Sequence, residues 1–273
     1  MLMRYCALLL ACAALHAQDQ PTGRGVNFYS QEKEAALGAQ LAGEVGRHTT
    51  AIGSAAVHDY VARLGARLIA QIPATGFTFT FTVVTEGMDN GIHEPLALPG
   101  GYIFVPASLF LEARNEAEFA GMLAHSIAHV AARHGTRLAT RAELANIASV
   151  PLVSTGGWTG YAMRQGAGLA VPLGLLQVQR AFEREADTLA IRMMAGAGCD
   201  PDGLVRYIGR VQAPTDATGA KVFSPLPDRD QRVAAMQHTI QDLPARTYSS
   251  GEEFPPIQDE VRRLAPSQAP RAL

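Results

Sequence analysis

Gly121-Met122-Leu123-Ala124-His125-Ser126-Ile127-Ala128-His129-Val130-Ala131-Ala132-Arg133-His134 has the frame of the H-E-x-x-H helix of zinc proteases, with a serine where the glutamate stands. Two histidines four positions apart on a helix lie on one face, so both rings reach a single metal ion. In such helices the residue after the first histidine is the carboxylate that deprotonates metal-bound water. A serine hydroxyl cannot do this near neutral pH. Three readings are open from this stretch: a zinc enzyme, a zinc-binding former enzyme, or a fold without metal whose histidines are packed or hydrogen-bonded.

The flanking segments give the setting. Ser30 reads as the N-cap of a helix to about residue 45, and Val57, Val61, Leu64 and Leu68 follow helical spacing ahead of Pro73. Phe77, Phe79, Phe81 and Val83 alternate with threonines, the pattern of a half-buried strand. Residues 87–95 read as a loop, and Leu98-Pro99-Gly100-Gly101 turns into a second strand over 102–105. Residues 107–114 form a short helix, and Asn115 caps the helix that carries the histidines and ends near His134-Gly135. Helices are expected over 137–147, 175–197, 201–211 and 229–243, with a short helical pattern at 257–264. The glycine-rich stretch 156–168 reads as a mobile connection or lid; it lacks the G-x-x-x-x-G-K pattern of a phosphate loop.

A zinc site with three protein ligands leaves one position for water. His125 and His129 supply two ligands. The candidate third is Glu183, in Arg180-Ala181-Phe182-Glu183-Arg184-Glu185-Ala186-Asp187. Asp187, four residues on, shares its helical face and can accept the free ring N–H of a ligand histidine. An HxxxH pair or an ExxxD pair alone is weak evidence; the two in this order, with a strand before them, are much stronger.

Those segments, with Ala97-Leu98-Pro99-Gly100-Gly101-Tyr102-Ile103-Phe104-Val105 and Asn115-Glu116-Ala117-Glu118-Phe119-Ala120, resemble metallopeptidase family 48, the gluzincins that include the CAAX prenyl protease, the HtpX heat-shock protease and periplasmic BepA-like proteases. The likeness covers about residues 32–241. It implies an α+β fold, mainly helical with a small sheet. It also implies one zinc ion held by His125, His129 and Glu183, with Asp187 as the partner behind a ligand. The edge strand, preceded by Leu98, Pro99, Gly100 and Gly101, would bind extended or unfolded polypeptide beside the metal, since edge pairing holds a peptide irrespective of its sequence. His134 matches a family histidine, and its angular offset along the helix makes it structural.

The chain departs from the family pattern twice. Ser126 stands at the catalytic position of the general base. A late His-Pro pair is replaced by Phe223-Ser224-Pro225-Leu226-Pro227-Asp228, with Arg232 as the matching arginine. Losing a general base costs about a hundred- to ten-thousand-fold in rate. Among other carboxylates, Glu185 lies on roughly the opposite helical face from Glu183 and is a poor substitute. Glu94 and Glu118 are also near the motifs, and Glu118 reads as capping or pairing within its own helix.

Composition bounds the rest. The chain has 273 residues, 48% hydrophobic and 18% charged, with a net charge of -2. That suits one domain with a sizeable core and gives no footprint for nucleic acid or an anionic membrane surface. Arg4 followed by the apolar run 5–15 and Leu15-His16-Ala17 reads as an export signal over 1–17, too short for a transmembrane span. Residues 18–30 are a lead-in, 31–245 the metallopeptidase-like domain, and 246–273 a proline-containing tail. The expected location is periplasmic or secreted. Leu9-Leu10-Ala11-Cys12 resembles a lipobox, so a lipoprotein anchored at Cys12 is the alternative. No later segment reads as an integral membrane span. With Cys6 and Cys12 in the signal, Cys199 is alone in the mature chain and forms no internal disulfide. The sequence thus points to an exported zinc metalloendopeptidase-family protein impaired at Ser126, or to a zinc-bound pseudopeptidase that holds polypeptide in envelope quality control.

Overall fold

A computed structural model describes residues 25–85, 93–154, 157–212 and 226–265; the expected signal, Cys12 and residues 223–225 lie outside them. The described chain is mainly helical around one small mixed sheet, the expected α+β arrangement. In order it runs α1 (Gln31–His48), α2 (Ala55–Ile69), β1 (Thr80–Val84), β2 (Leu96–Leu98), a 3-10 turn (Pro99–Gly101), β3 (Tyr102–Pro106), α3 (Ala107–Glu112), α4 (Glu116–Ala131), α5 (His134–Ser154), α6 (Gly157–Gly196), α7 (Asp202–Val211), α8 (Arg229–Gln241) and α9 (Phe254–Leu264). Among the described residues no helix is long and apolar enough to cross a membrane.

Helix α4 is the hub. Asn115 caps it by accepting from the Glu118 amide at 3.0 Å. Almost every side chain from Phe119 to Ala131 is buried, because α2, α6, α7 and the sheet surround it. A helix apolar on nearly all sides belongs inside the molecule. Glu118 accepts from the Arg114 amide at 2.9 Å, the capping its position suggests, and its ion pair is with Arg210 of α7 at 2.6 Å, not within its own helix.

The sheet order is β1-β3-β2. The strand after the Leu98-Pro99-Gly100-Gly101 turn is therefore central, paired in parallel with β1 and antiparallel with β2. The free edge is β2, ahead of the turn, which corrects the expectation from sequence. The cause is local: Gly100 and Gly101 take φ of +77° and +107°, which folds the chain back so that β2 covers the other flank of β3. Helix α1 lies across this turn so closely that a Cβ on Gly38 would stand 1.8 Å from the Pro99 carbonyl oxygen.

Three further differences matter. The glycine-rich stretch is not a lid: residues 157–168 are part of α6, the same helix that carries Glu183. Extending an existing helix needs no new nucleus, so scattered glycines at about 1 kcal/mol each do not end it. The expected tail folds back, and Phe254 packs with Tyr60, Phe110 and Phe119 in the main core. Finally, the histidine helix ends at Ala131, and Arg133 adopts φ +57° before α5 begins at His134. That left-handed residue is strained. It is held by Glu34 and the Tyr29 carbonyl, each 2.6 Å from the Arg133 guanidinium.

Candidate metal centre

Helices α4, α6 and α8 and the residues leading into β2 bring the polar side chains together. His125 and His129 project from α4 with their Nε2 atoms 3.0 Å apart. Glu183 of α6 faces both, with Oε2 3.4 Å from His125 Nε2 and Oε1 3.5 Å from His129 Nε2. Glu94 enters from the opposite wall, Oε1 lying 3.5 Å from His125 Nε2. The centre borders a cleft of about 360 Å³ lined by Glu94, Leu96, Gln179 and Phe182 among others.

Behind the histidines the proton positions follow from the partners. Asp187 Oδ1 lies 3.0 Å from His125 Nδ1, an ion-pair contact whose angle falls short of a hydrogen bond; it favours the proton on Nδ1 and leaves Nε2 bare. His134 stands 3.2 Å from Glu185 Oε2 through Nε2 and 3.1 Å from His129 Nδ1 through Nδ1. The carboxylate only accepts, so His134 donates from Nε2 and, when neutral, accepts at Nδ1. His129 must then donate from Nδ1, and its Nε2 is bare as well. Glu185 thus sets the tautomer of His129 through His134. The break at Arg133 makes this contact possible, and a continuous helix would not have suggested it.

Two bare nitrogens facing one another repel unless a proton or cation lies between them. Without a cation, burial works against a charge on His125, but the carboxylates of Asp187, Glu183 and Glu94, which attract and accept its protons, outweigh it and raise its pKa well above the ordinary value. Burial, then the neighbouring His125 charge, depresses His129 to about 4. Burial also lowers His134. Asp187 is held far below the usual carboxylate range, its burial overridden by the Arg232 charge and its contacts with His125 and Arg232. Glu183 is lowered too, burial being outweighed by His125, His129 and Arg232.

Arg232 is fully buried and grips Asp187 through Nε at 2.6 Å and Nη2 at 2.8 Å. Its Nη1 donates to Gln212 Oε1 at 3.1 Å, and Gln212 donates in turn to the Pro227 carbonyl at 2.9 Å. Asp187 therefore serves both His125 and Arg232, a tie that the spacing of Glu183 and Asp187 does not disclose.

The set fits a zinc ion on three observations. His125 and His129 offer bare nitrogens to one point. Glu183 Oε2 is buried with no hydrogen-bond donor. Glu183 and Asp187 contact the Arg232 guanidinium and Glu94 faces His125; ionised, these three carboxylates with Arg232 sum to two negative charges, which a divalent cation would cancel. Glu94, His125 and His129 have potential ligand atoms all within 4.8 Å of one another.

Ser126 is buried, and its hydroxyl lies 3.0 Å from the Met122 carbonyl and 3.3 Å from the Pro95 carbonyl, which take its one proton.

Residues 55–240 match the description Peptidase family M48. The chain belongs to that family. It is 31% identical over 169 residues to a putative beta-barrel assembly-enhancing protease of Vibrio cholerae, covering 59% of this chain and 34% of that protein. It is 23% identical over 205 residues to the beta-barrel assembly-enhancing protease of Escherichia coli K12, covering 72% of this chain and 41% of that protein. It is 26% identical over 208 residues to the mitochondrial metalloendopeptidase OMA1 of Schizosaccharomyces pombe, covering 73% and 58%. The chain thus spans about a third to three fifths of the length of these relatives. Family M48 comprises zinc metallopeptidases.

Of the residues singled out from sequence, His125, His129, Glu183 and Asp187 converge. Leu98 ends β2, while Gly100 is buried against Ala35 of α1 and Gly101 against the Thr78–Phe79 backbone. Glu94 and the His134–Glu185 pair had no assigned part at the metal. The legible signal for Arg232 was a surplus of carboxylates with no partner; for Glu94 it was a carboxylate two residues ahead of a sheet edge.

Proposed function

We propose that this chain is an exported, zinc-holding member of family M48 that holds extended or unfolded polypeptide and is catalytically impaired. His125, His129 and Glu183 hold the metal, and Asp187 steadies His125 from behind. A bound zinc ion supplies Lewis acidity and lowers the pKa of a coordinated water to about 7. The chain lacks a partner for that water at the expected place. The observation that carries the reading is Ser126: its proton is taken by backbone carbonyls, and an alkyl hydroxyl has no basicity at neutral pH. Glu185 does not replace it, since it is bound to His134 and Arg137. A missing base costs about two to four orders of magnitude.

The free edge of β2 supports polypeptide binding. It borders the cleft, ends one side of the sheet and can add a strand by backbone hydrogen bonds. A role in envelope quality control fits such sequence-indifferent capture, and the leader at 1–17 gives the route of export.

The purified chain should carry about one zinc per molecule, lose it on His129→Ala, and bind unfolded casein without cleaving it. Elemental analysis that finds no metal in wild type overturns the metal centre. Chelator-sensitive cleavage of casein at the rate of an active M48 protease overturns the impairment.

A further inference from the structure

We infer that Glu94 is a fourth protein ligand, so that the metal centre is closed. The inference rests on the zinc reading above and changes the kind of site it describes. Tetrahedral zinc with bonds of about 2.0–2.2 Å sets neighbouring ligand atoms about 3.3–3.6 Å apart. Around His125 Nε2, Glu183 Oε2 stands at 3.4 Å and Glu94 Oε1 at 3.5 Å, while Glu183 Oε1 stands 3.5 Å from His129 Nε2. Glu94 therefore keeps the same spacing from His125 as the ligand expected from sequence. It approaches from the β2 wall, whereas Glu183 comes from α6. The Glu94 ligand oxygen also lies within 4.8 Å of both histidines, so it can take the position that a water would hold in an open, three-ligand centre.

Ser126 holds this arrangement. Its hydroxyl, shared between the Met122 carbonyl at 3.0 Å and the carbonyl of Pro95 at 3.3 Å, lets the backbone next to Glu94 rest directly on α4. A longer side chain at 126 would occupy the space where that carbonyl rests. The serine and the glutamate act as one unit: the small residue lets the strand entrance settle, and the strand entrance delivers the carboxylate. Charge agrees, because Glu94 is the third carboxyl group of a cluster that otherwise falls one short of balancing a divalent cation and Arg232. Four protein ligands are the mark of structural zinc sites, and three with an open vertex that of catalytic ones. With the vertex filled, there is no water for a base at 126 to activate.

The full chain is to be compared as wild type, Glu94→Ala and Glu94→Gln, loaded with Zn2+ or Co2+. Zinc affinity is read by chelator competition and access to the vertex by the effect of azide on the visible spectrum of the Co2+ form. Both variants should lose zinc affinity by about ten-fold or more, and azide should change the Co2+ spectrum of the variants but not of wild type. Matching melting curves of the metal-free proteins confirm that the loss is local. Unchanged zinc affinity, or azide acting equally on wild type and variants, overturns the closed centre while leaving a three-ligand metal site standing. Wild type that takes up no metal overturns the zinc reading itself, and the fourth ligand falls with it.

Discussion

Two polar clusters meet at His129 and are built on opposite principles. Around His125 stand Glu94, Glu183 and Asp187 with one guanidinium, and a buried Glu183 oxygen is left without a donor. Around His134 the charges pair within the cluster: Glu185 lies 3.2 Å from both His134 and Arg137, and the Phe182 ring takes the His134 ring at 4.3 Å and the Arg137 guanidinium at 4.6 Å. The first cluster carries surplus negative charge that a cation would cancel. The second pairs one carboxylate with a guanidinium and an imidazole, although Arg137 Nε is buried with no hydrogen bond, and it abuts His129 through His134. Surplus charge, more than the presence of histidines, distinguishes a place for a metal from a packed polar network.

The same substitution in both clusters should separate them most widely. Arg232→Met strands the Asp187 carboxylate in the interior and should destabilise the metal-free protein by about 3–5 kcal/mol. Arg137→Met should cost about 1–2 kcal/mol, because Glu185 keeps His134 and its side chain is 33% exposed, open to water. Denaturant titrations of the two variants give the comparison, and equal losses would erase it.

The relay can be broken without removing a ligand. Glu185→Gln offers an amide that can donate to His134 Nε2, reversing the tautomers of His134 and His129 and placing a proton on the nitrogen that should face the metal. Zinc affinity should fall about ten-fold with little change in metal-free stability. Glu185→Asp keeps the accepting charge and should restore much of it. Chelator competition reads both.

A further test concerns pH in the metal-free protein. His129, at about 4, and His134, also lowered, stay neutral when folded but charge when unfolded, so stability should fall as pH drops below about 6.5. His125 is raised, so its contribution is present below about 6.5 and is lost as pH climbs through its folded value. Melting temperature should therefore peak near pH 6.5 without zinc, and a rise through pH 8 would contradict the proton assignments.

The sequence by itself determined the family, the helical body and the convergence of His125, His129, Glu183 and Asp187. Each of these is carried by short-range periodicity or by contiguous motifs: residues four apart on a helix share a face wherever the helix packs. Only tertiary structure decided the rest. The order of the sheet depended on two glycines reversing the chain. The contact of His134 with His129 depended on a single left-handed residue stabilised by distant Glu34. Glu94 reaches the centre because Pro95 rests on Ser126, 31 residues away. Arg232 meets Asp187 across 45 residues. Local spacing cannot encode such partners. They are selected by the need to pair charges once burial has removed water from around them.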